Sequence, residues 1–153
     1  DPGVGRGGGK RHHDAVTLEA FTDGASRGNP GESGLGIVIK GQDGTVLRTC
    51  SRYLGRVTNN VAEYRALLEL LEIVQTIPCS RVVAHSDSEL MVRQVNGEYK
   101  VRDRELQRLH AQVVSLLRSA PYRFELRHVP RAQNAEADRL ANEAIDSHTS
   151  VVY

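Results

Sequence analysis

Four carboxylates stand where a free charge is costly. Asp23 ends an apolar run, "LEAFT", and precedes the glycine-rich stretch "GASRGNPGESGLG". Asp87 follows "VVAHS" in a similar way. Glu63 lies at the start of "NNVAEYRALLELL" and Asp138 early in "NAEADRLANEA", two segments with apolar residues at helical spacing. Each acid has an ordinary reading: an Asx turn for Asp23, a capping box from Asn60 to Glu63, a helix start for Asp87, the helix dipole for Asp138. Taken together, they put four acids at strand ends and helix starts, the places where α/β proteins gather their ligand sites. Two like charges about 4 Å apart repel by about 4 kcal/mol at an effective dielectric near 20. Such a cluster is tolerable when it holds divalent cations. Hard oxygen donors suit Mg²⁺, with Mn²⁺ as a substitute, and four carboxylates suit two ions. A pair of such ions can clamp an in-line displacement at phosphorus.

The elements that must position these acids follow from periodicity. Val16 to Thr22, Leu35 to Lys40 and Thr45 to Leu54 read as three strands, with Asp43-Gly44 marking a tight hairpin between the last two. A helix follows, with Tyr64, Leu67, Leu68, Leu71 and Val74 on one face, Asn60 as its N-cap and Pro78 just past its end. "RVVAHS" reads as a buried central strand. A short helix closed by Asn96-Gly97, a second with Leu106, Leu109, Val113, Leu116 and Leu117 on one side, a fifth strand "YRFELRHV" and a last helix capped by Asn134 complete the order. An antiparallel start running into βα units predicts an α/β domain: a five-stranded mixed sheet flanked by helices, the first three strands antiparallel. If the first and fourth strands are parallel neighbours, Asp23 and Asp87 meet.

The chain has 153 residues and a net charge of +1, enough for one domain but with no global field to attract a polyanion. Two cysteines, Cys50 and Cys79, make no disulfide framework and read as reduced thiols of a cytoplasmic protein. No apolar run is long enough for a membrane span. Residues 1–15, with five glycines among the first nine, read as a flexible tail or a linker to a fused neighbouring domain, residues 16–148 as the catalytic domain and residues 149–153 as a β-prone tail. The pair His12-His13 reads as part of a solvated basic tail, and zinc is not indicated by any Cys-x-x-Cys or His-Glu-x-x-His spacing. His85 reads as a packed core histidine.

The stretches "TDGASRGNPGESGLG", "TNNVAEYRALLELL", "SDSELMVRQVNGEYKV" and "VPRAQNAEADRLANEA" resemble, in order, the four motifs of the ribonuclease H type 1 family. The likeness runs from about Val16 to Ser147 and implies the ribonuclease H-like fold. It further implies a monomeric endonuclease that cuts the RNA strand of RNA–DNA hybrids and leaves 5′-phosphate and 3′-hydroxyl ends. Asp23, Glu63, Asp87 and Asp138 match the family's metal-binding acids. Asn29, Asn59 and Asn60 match positions lining the hybrid's minor groove, and Thr58 one that holds a DNA-strand phosphate. Gly24, Glu89 and Asn134 complete the expected substrate contacts.

Three departures from the family pattern stand out. Arg131 occupies the place of a catalytic-loop histidine, and an arginine does not shuttle protons near neutrality. "NGEYKVRDREL" runs almost directly into the next helix with no basic, aromatic-bearing protrusion, leaving Lys100, Arg102 and Arg104 as a smaller handle. Glu89 stands where relatives often have Gln, and an ionised carboxylate accepts but does not donate. A proofreading exonuclease of related fold would carry Asp-x-Glu on the first strand, whereas this chain has Asp23-Gly24-Ala25. A phosphate-loop NTPase is excluded because no Gly-Lys-Ser/Thr follows the glycines. A non-catalytic hybrid-binding module remains as a competing class.

Overall fold

A computed structural model describes residues 16–153. The tail assigned to residues 1–15, with His12-His13, lies outside the described residues. Among the described residues, six strands form one mixed sheet in the order β5-β4-β1-β2-β3-β6. They are β1 (Thr17–Gly28), β2 (Gly31–Lys40), β3 (Val46–Val57), β4 (Arg81–Ser86), β5 (Arg123–His128) and β6 (Ser150–Val152). The helices are α1 (Asn59–Val74), α2 (Glu89–Val95), α3 (Arg104–Arg118) and α4 (Ala135–Ser147), the last preceded by a 3₁₀ turn at Arg131–Asn134. β1, β2 and β3 are antiparallel, and β4 runs parallel to both β1 and β5. β1 and β4 are therefore the parallel neighbours that the meeting of Asp23 and Asp87 requires.

Three features differ from the expectations. β1 does not stop at Thr22 but continues to Gly28, and only Asn29 and Pro30, joined by a cis peptide, separate it from β2. The stretch "GASRG" reads as a loop by composition, yet it pairs with β2 from Gly24↔Leu35 to Gly28↔Gly31. Asp23 thus sits within a strand, one residue beyond the last β1–β4 pair, Thr22↔Ser86. The β2–β3 connection spans residues 41–45, longer than the tight hairpin expected. It is closed by Gly41 N–H donating to the Thr45 carbonyl at 2.9 Å, with Gly44 at φ +84°. The C-terminal segment adds a sixth strand, pairing Cys50↔Val152 to Arg52↔Ser150 on the free edge of β3.

The core lies between the sheet and α1, with α3 outside it. Leu18, Ala20, Leu35, Ile37, Val82 and Ala84 from the sheet meet Tyr64, Leu67, Leu70, Leu71, Val74 and Val113 from the helices. The helical stripe expected for α1 is buried at Tyr64, Leu67, Leu71 and Val74, while Leu68 is half-buried and Leu70 joins them. α4 covers the opposite face over β2. Its small residues Ala137, Ala141 and Ala144 allow a close approach, and Gly36 completes it. A Cβ at Gly36 would stand 2.0 Å from the Ala137 carbonyl oxygen. Gly36 is the register partner of Asp23. The same glycine that lets the helix down onto the sheet therefore sets the height of Asp138 relative to Asp23.

Candidate active site

Asp23, Glu63 and Asp87 converge at the carboxyl end of β4, each offering an oxygen, and these oxygens lie within 4.8 Å of one another. The three belong to different elements, and each is delivered by a local cause. Asp23 continues β1 past the end of its parallel neighbour. Asp87 is the first residue after β4, and Ser88 then caps α2 by accepting from Met91 N–H at 3.3 Å. Glu63 is in the first turns of α1, whose start packs against β1 so tightly that a Cβ at Gly24 would stand 2.4 Å from Glu63 N. That contact leaves room for glycine alone. It also brings Gly24 N–H to Glu63 Oε1, at 3.0 Å.

The expected cap of α1 is corrected. Thr58, not Asn60, is the N-cap: its backbone is extended at φ −76°, ψ 162°, and its hydroxyl accepts from Val61 N–H at 3.2 Å. Asn60 already lies inside the helix. The capping box from Asn60 to Glu63 does not form, because the Glu63 carboxylate turns to Gly24 instead.

Electrostatics set these acids apart. Burial pushes the Asp23 carboxyl up from 3.8 to about 10, with Glu63, Asp87 and Asp138 adding to the rise. Burial raises Glu63 from 4.5 to about 8, opposed by the Gly24 N–H and the Arg131 guanidinium. Neither carboxyl holds its charge comfortably without a cation nearby. Asp138 lies outside the group of three mutually close oxygens but lines the same cleft. That cleft, of about 470 Å³, is walled also by Gly24, Asn59, Ser88, His128 and Arg131.

The other residues singled out by sequence divide into two sets. Gly24, Asn59 and Arg131 line the cleft. Asn29, Thr58, Asn60, Glu89 and Asn134 do not. Asn29, at the hairpin tip, accepts from Asn59 N–H through Oδ1 at 3.1 Å, tying the hairpin to the start of α1 beside the cleft. Glu89 is engaged on its own helix, where Oε2 accepts from Arg93 Nε at 2.9 Å. Asn134 stands at the cap position of α4 but makes no side-chain cap; its Nδ2 donates to the Thr22 carbonyl at 2.8 Å. The expected capping role is thus replaced by a bridge to β1. His85 is a packed histidine as expected, stacked on Phe21 with ring centroids 4.7 Å apart and with Nε2 3.0 Å from Glu19.

Sequence reasoning passed over Gly36, Arg27 and Asn142. The glycine read only as one residue of the strand Leu35 to Lys40, with no role of its own. The other two belong to a link between β1 and α4 that is invisible until the strands are paired: Arg27 Nη2 donates to Asn142 Oδ1 at 3.1 Å, and Asn142 Nδ2 donates to Asp138 Oδ1 at 3.2 Å.

The chain resembles known proteins along most of its length. The family described as "Reverse transcriptase-like" matches residues 21–144. The bifunctional protein Rv2228c of Mycobacterium tuberculosis is 43% identical over 133 residues, which cover 86% of this chain and 36% of that protein. Ribonuclease HI of Halobacterium salinarum is 39% identical over 129 residues, 84% of this chain and 64% of that protein. The chain spans about a third of the mycobacterial relative and under two thirds of the haloarchaeal one. Among solved structures, LC11-RNase H1 in complex with RNA/DNA hybrid superposes with a TM-score of 0.82 at 41% identity, covering 86% of this chain and 98% of that one. The order of the strands, the antiparallel first three and the four motifs agree with these likenesses, and the chain belongs to the ribonuclease H type 1 family.

Proposed function

We propose that this domain hydrolyses the RNA strand of RNA–DNA hybrids endonucleolytically, leaving 5′-phosphate and 3′-hydroxyl ends. The observation that carries the reading is the convergence of Asp23, Glu63 and Asp87 within 4.8 Å at one cleft. The donor set fits divalent cations. All of it is hard oxygen, and the carboxyls of Asp23 and Glu63 are held far above their usual range by burial and mutual repulsion. Asp23, Glu63, Asp87 and Asp138 would hold two Mg²⁺ ions, with Mn²⁺ as a substitute. Bound there, the ions supply Lewis-acid activation of water and neutralise charge at the scissile phosphate.

The chain's own residues do the rest. Gly24 N–H fixes one oxygen of Glu63, which lines the cleft. Arg131, on the cleft wall and close enough to pull the Glu63 pKa down, offers a permanent positive charge to a phosphate oxygen. It cannot act as a titrating acid or base. Asn59, on the cleft wall and braced through its backbone by Asn29, faces the groove of a bound duplex; its side chain can both donate to and accept from a ribose 2′-hydroxyl. Thr58, Asn60 and Glu89 flank this surface, and Lys100, Arg102 and Arg104 provide a small cationic handle. The hybrid bound by LC11-RNase H1 supports a hybrid as the partner here. Free Cys50 and Cys79 support a reducing, cytoplasmic compartment. The greater length of the mycobacterial relative supports a fused neighbouring domain.

The test is a labelled RNA–DNA hybrid incubated with purified protein in Mg²⁺, in Mn²⁺ and in EDTA. Internal cuts in the RNA strand that vanish in EDTA are expected. Intact hybrid under every metal condition, or stepwise trimming from one end, would overturn the reading.

A further inference from the structure

Three polar residues are regularly spaced along α4: Asn134 at its cap position and Asp138 and Asn142 within it stand four apart. Asparagine is a poor residue for a helix interior, so Asn142 at mid-helix calls for a tertiary cause. Both asparagines tie the helix to β1, one on each side of Asp23. Asn134, 1% exposed, forgoes a cap and donates from Nδ2 to the Thr22 carbonyl at 2.8 Å. Asn142 accepts from Arg27, while its Nδ2 donates to the Asp138 carbonyl at 3.0 Å and to Asp138 Oδ1 at 3.2 Å. Arg27 in turn is fixed by Asp146 at 2.7 Å.

We propose that Asn134 and Asn142 are positioning residues that bracket Asp138 and aim its carboxylate at the cluster of Asp23, Glu63 and Asp87. Asp138 needs such an aid because it stands outside the three mutually close oxygens. Its share in holding a cation depends on where α4 carries it. A neutral amide suits the task. It fixes one carboxylate oxygen and leaves the other free, and it adds no positive charge to compete with a metal ion. Were Arg27 to reach Asp138 directly, its guanidinium would compete with the cation for the carboxylate. Asn142 stands between them and passes on orientation without charge.

The inference rests on the two-ion reading above, and its test separates the two. Mn²⁺ binding to substrate-free protein is followed by calorimetry for the native chain, Asn142→Leu, Asp138→Asn and the double variant, with melting temperatures recorded in EDTA. Asn142→Leu is expected to weaken the weaker Mn²⁺-binding event by about 10-fold. It should raise the Mg²⁺ needed for half-maximal kcat and leave KM for hybrid unchanged. In the Asp138→Asn background it should add nothing, because it acts through that carboxylate. Asn134→Ala, where it folds, should give the same pattern with a lower melting temperature. Native Mn²⁺ binding by Asn142→Leu, or an equal further loss in the Asp138→Asn background, would overturn the bracket while leaving the proposed function standing. Absence of Mn²⁺ binding by the native chain would overturn both.

Discussion

Asp23→Asn separates stability from activity in opposite directions. In the metal-free protein the Asp23 carboxyl titrates at about 10, against 3.8 for a free side chain. Between those values the native state holds a proton that the unfolded chain has released. Stability therefore falls as pH rises above 4. At pH 7 the proton uptake costs about 4 kcal/mol, at about 1.4 kcal/mol per decade of pH. Asparagine has the same shape and no proton to take up. In EDTA the variant should match the native protein near pH 4 and melt higher by about 12–24 °C at pH 8, where the cost reaches about 6 kcal/mol, at about 2–4 °C per kcal/mol for a domain of this size. Saturating Mg²⁺ should reverse the order, since a cation bound only by the native state stabilises that protein alone. Hybrid cleavage by the variant should be lost at every pH. The assay is thermal denaturation by circular dichroism from pH 4 to 8, with and without metal. A stability difference that does not grow with pH, or a variant less stable than native at pH 8 in EDTA, would refute the electrostatic reasoning.

Further consequences concern the residues that hold the acids in place. Gly36→Val drives a side chain into the Ala137 carbonyl, 2.0 Å from the nearest allowed Cβ, so α4 must lift. Both stability, by about 1–3 kcal/mol, and hybrid cleavage should fall, as read by urea unfolding and a cleavage assay. Tyr64→Phe removes the buried hydroxyl that donates to Gln94 Oε1 at 2.6 Å. It should cost about 1–3 kcal/mol in urea unfolding and leave kcat intact, since the lost donor leaves a buried acceptor without a partner. Mg²⁺ binding should release protons, because Asp23 and Glu63 are protonated or partly so near pH 7 in metal-free protein. Calorimetry in buffers of different ionisation enthalpy measures that release, which should shrink as pH rises through 8 toward 10.

The element order was legible from local periodicity, and the meeting of Asp23, Glu63 and Asp87 from their joint placement at strand ends and a helix start, since each acid alone has an ordinary reading. Helical spacing marked α1 and α3, and the unbroken apolar run "VVA" marked a central strand. The length of β1 was not legible, because glycine serves turns and close packing alike. In "GASRG" Gly24 admits the start of α1 rather than bending the chain. Composition alone does not distinguish the two uses. The cap of α1 was misplaced for a related reason. Thr58, Asn59 and Asn60 are all competent caps, and the choice fell to the one held extended by the end of β3, which stops at Val57. Asn134 looked like a cap because it sits at one. The Thr22 carbonyl that takes its donor is 112 residues away in sequence. The β6 pairing was undecided for lack of period in "TSVVY", and the free edge of β3 decides it.

The convergence of the acids on a pair of cations is tested most directly by a crystal of the protein soaked in Mn²⁺ and measured at an anomalous wavelength. Two anomalous peaks about 4 Å apart, held among the carboxylates of Asp23, Glu63, Asp87 and Asp138, are expected. Crystals whose carboxylates at Asp23, Glu63 and Asp87 collect no anomalous density at saturating Mn²⁺ would contradict it.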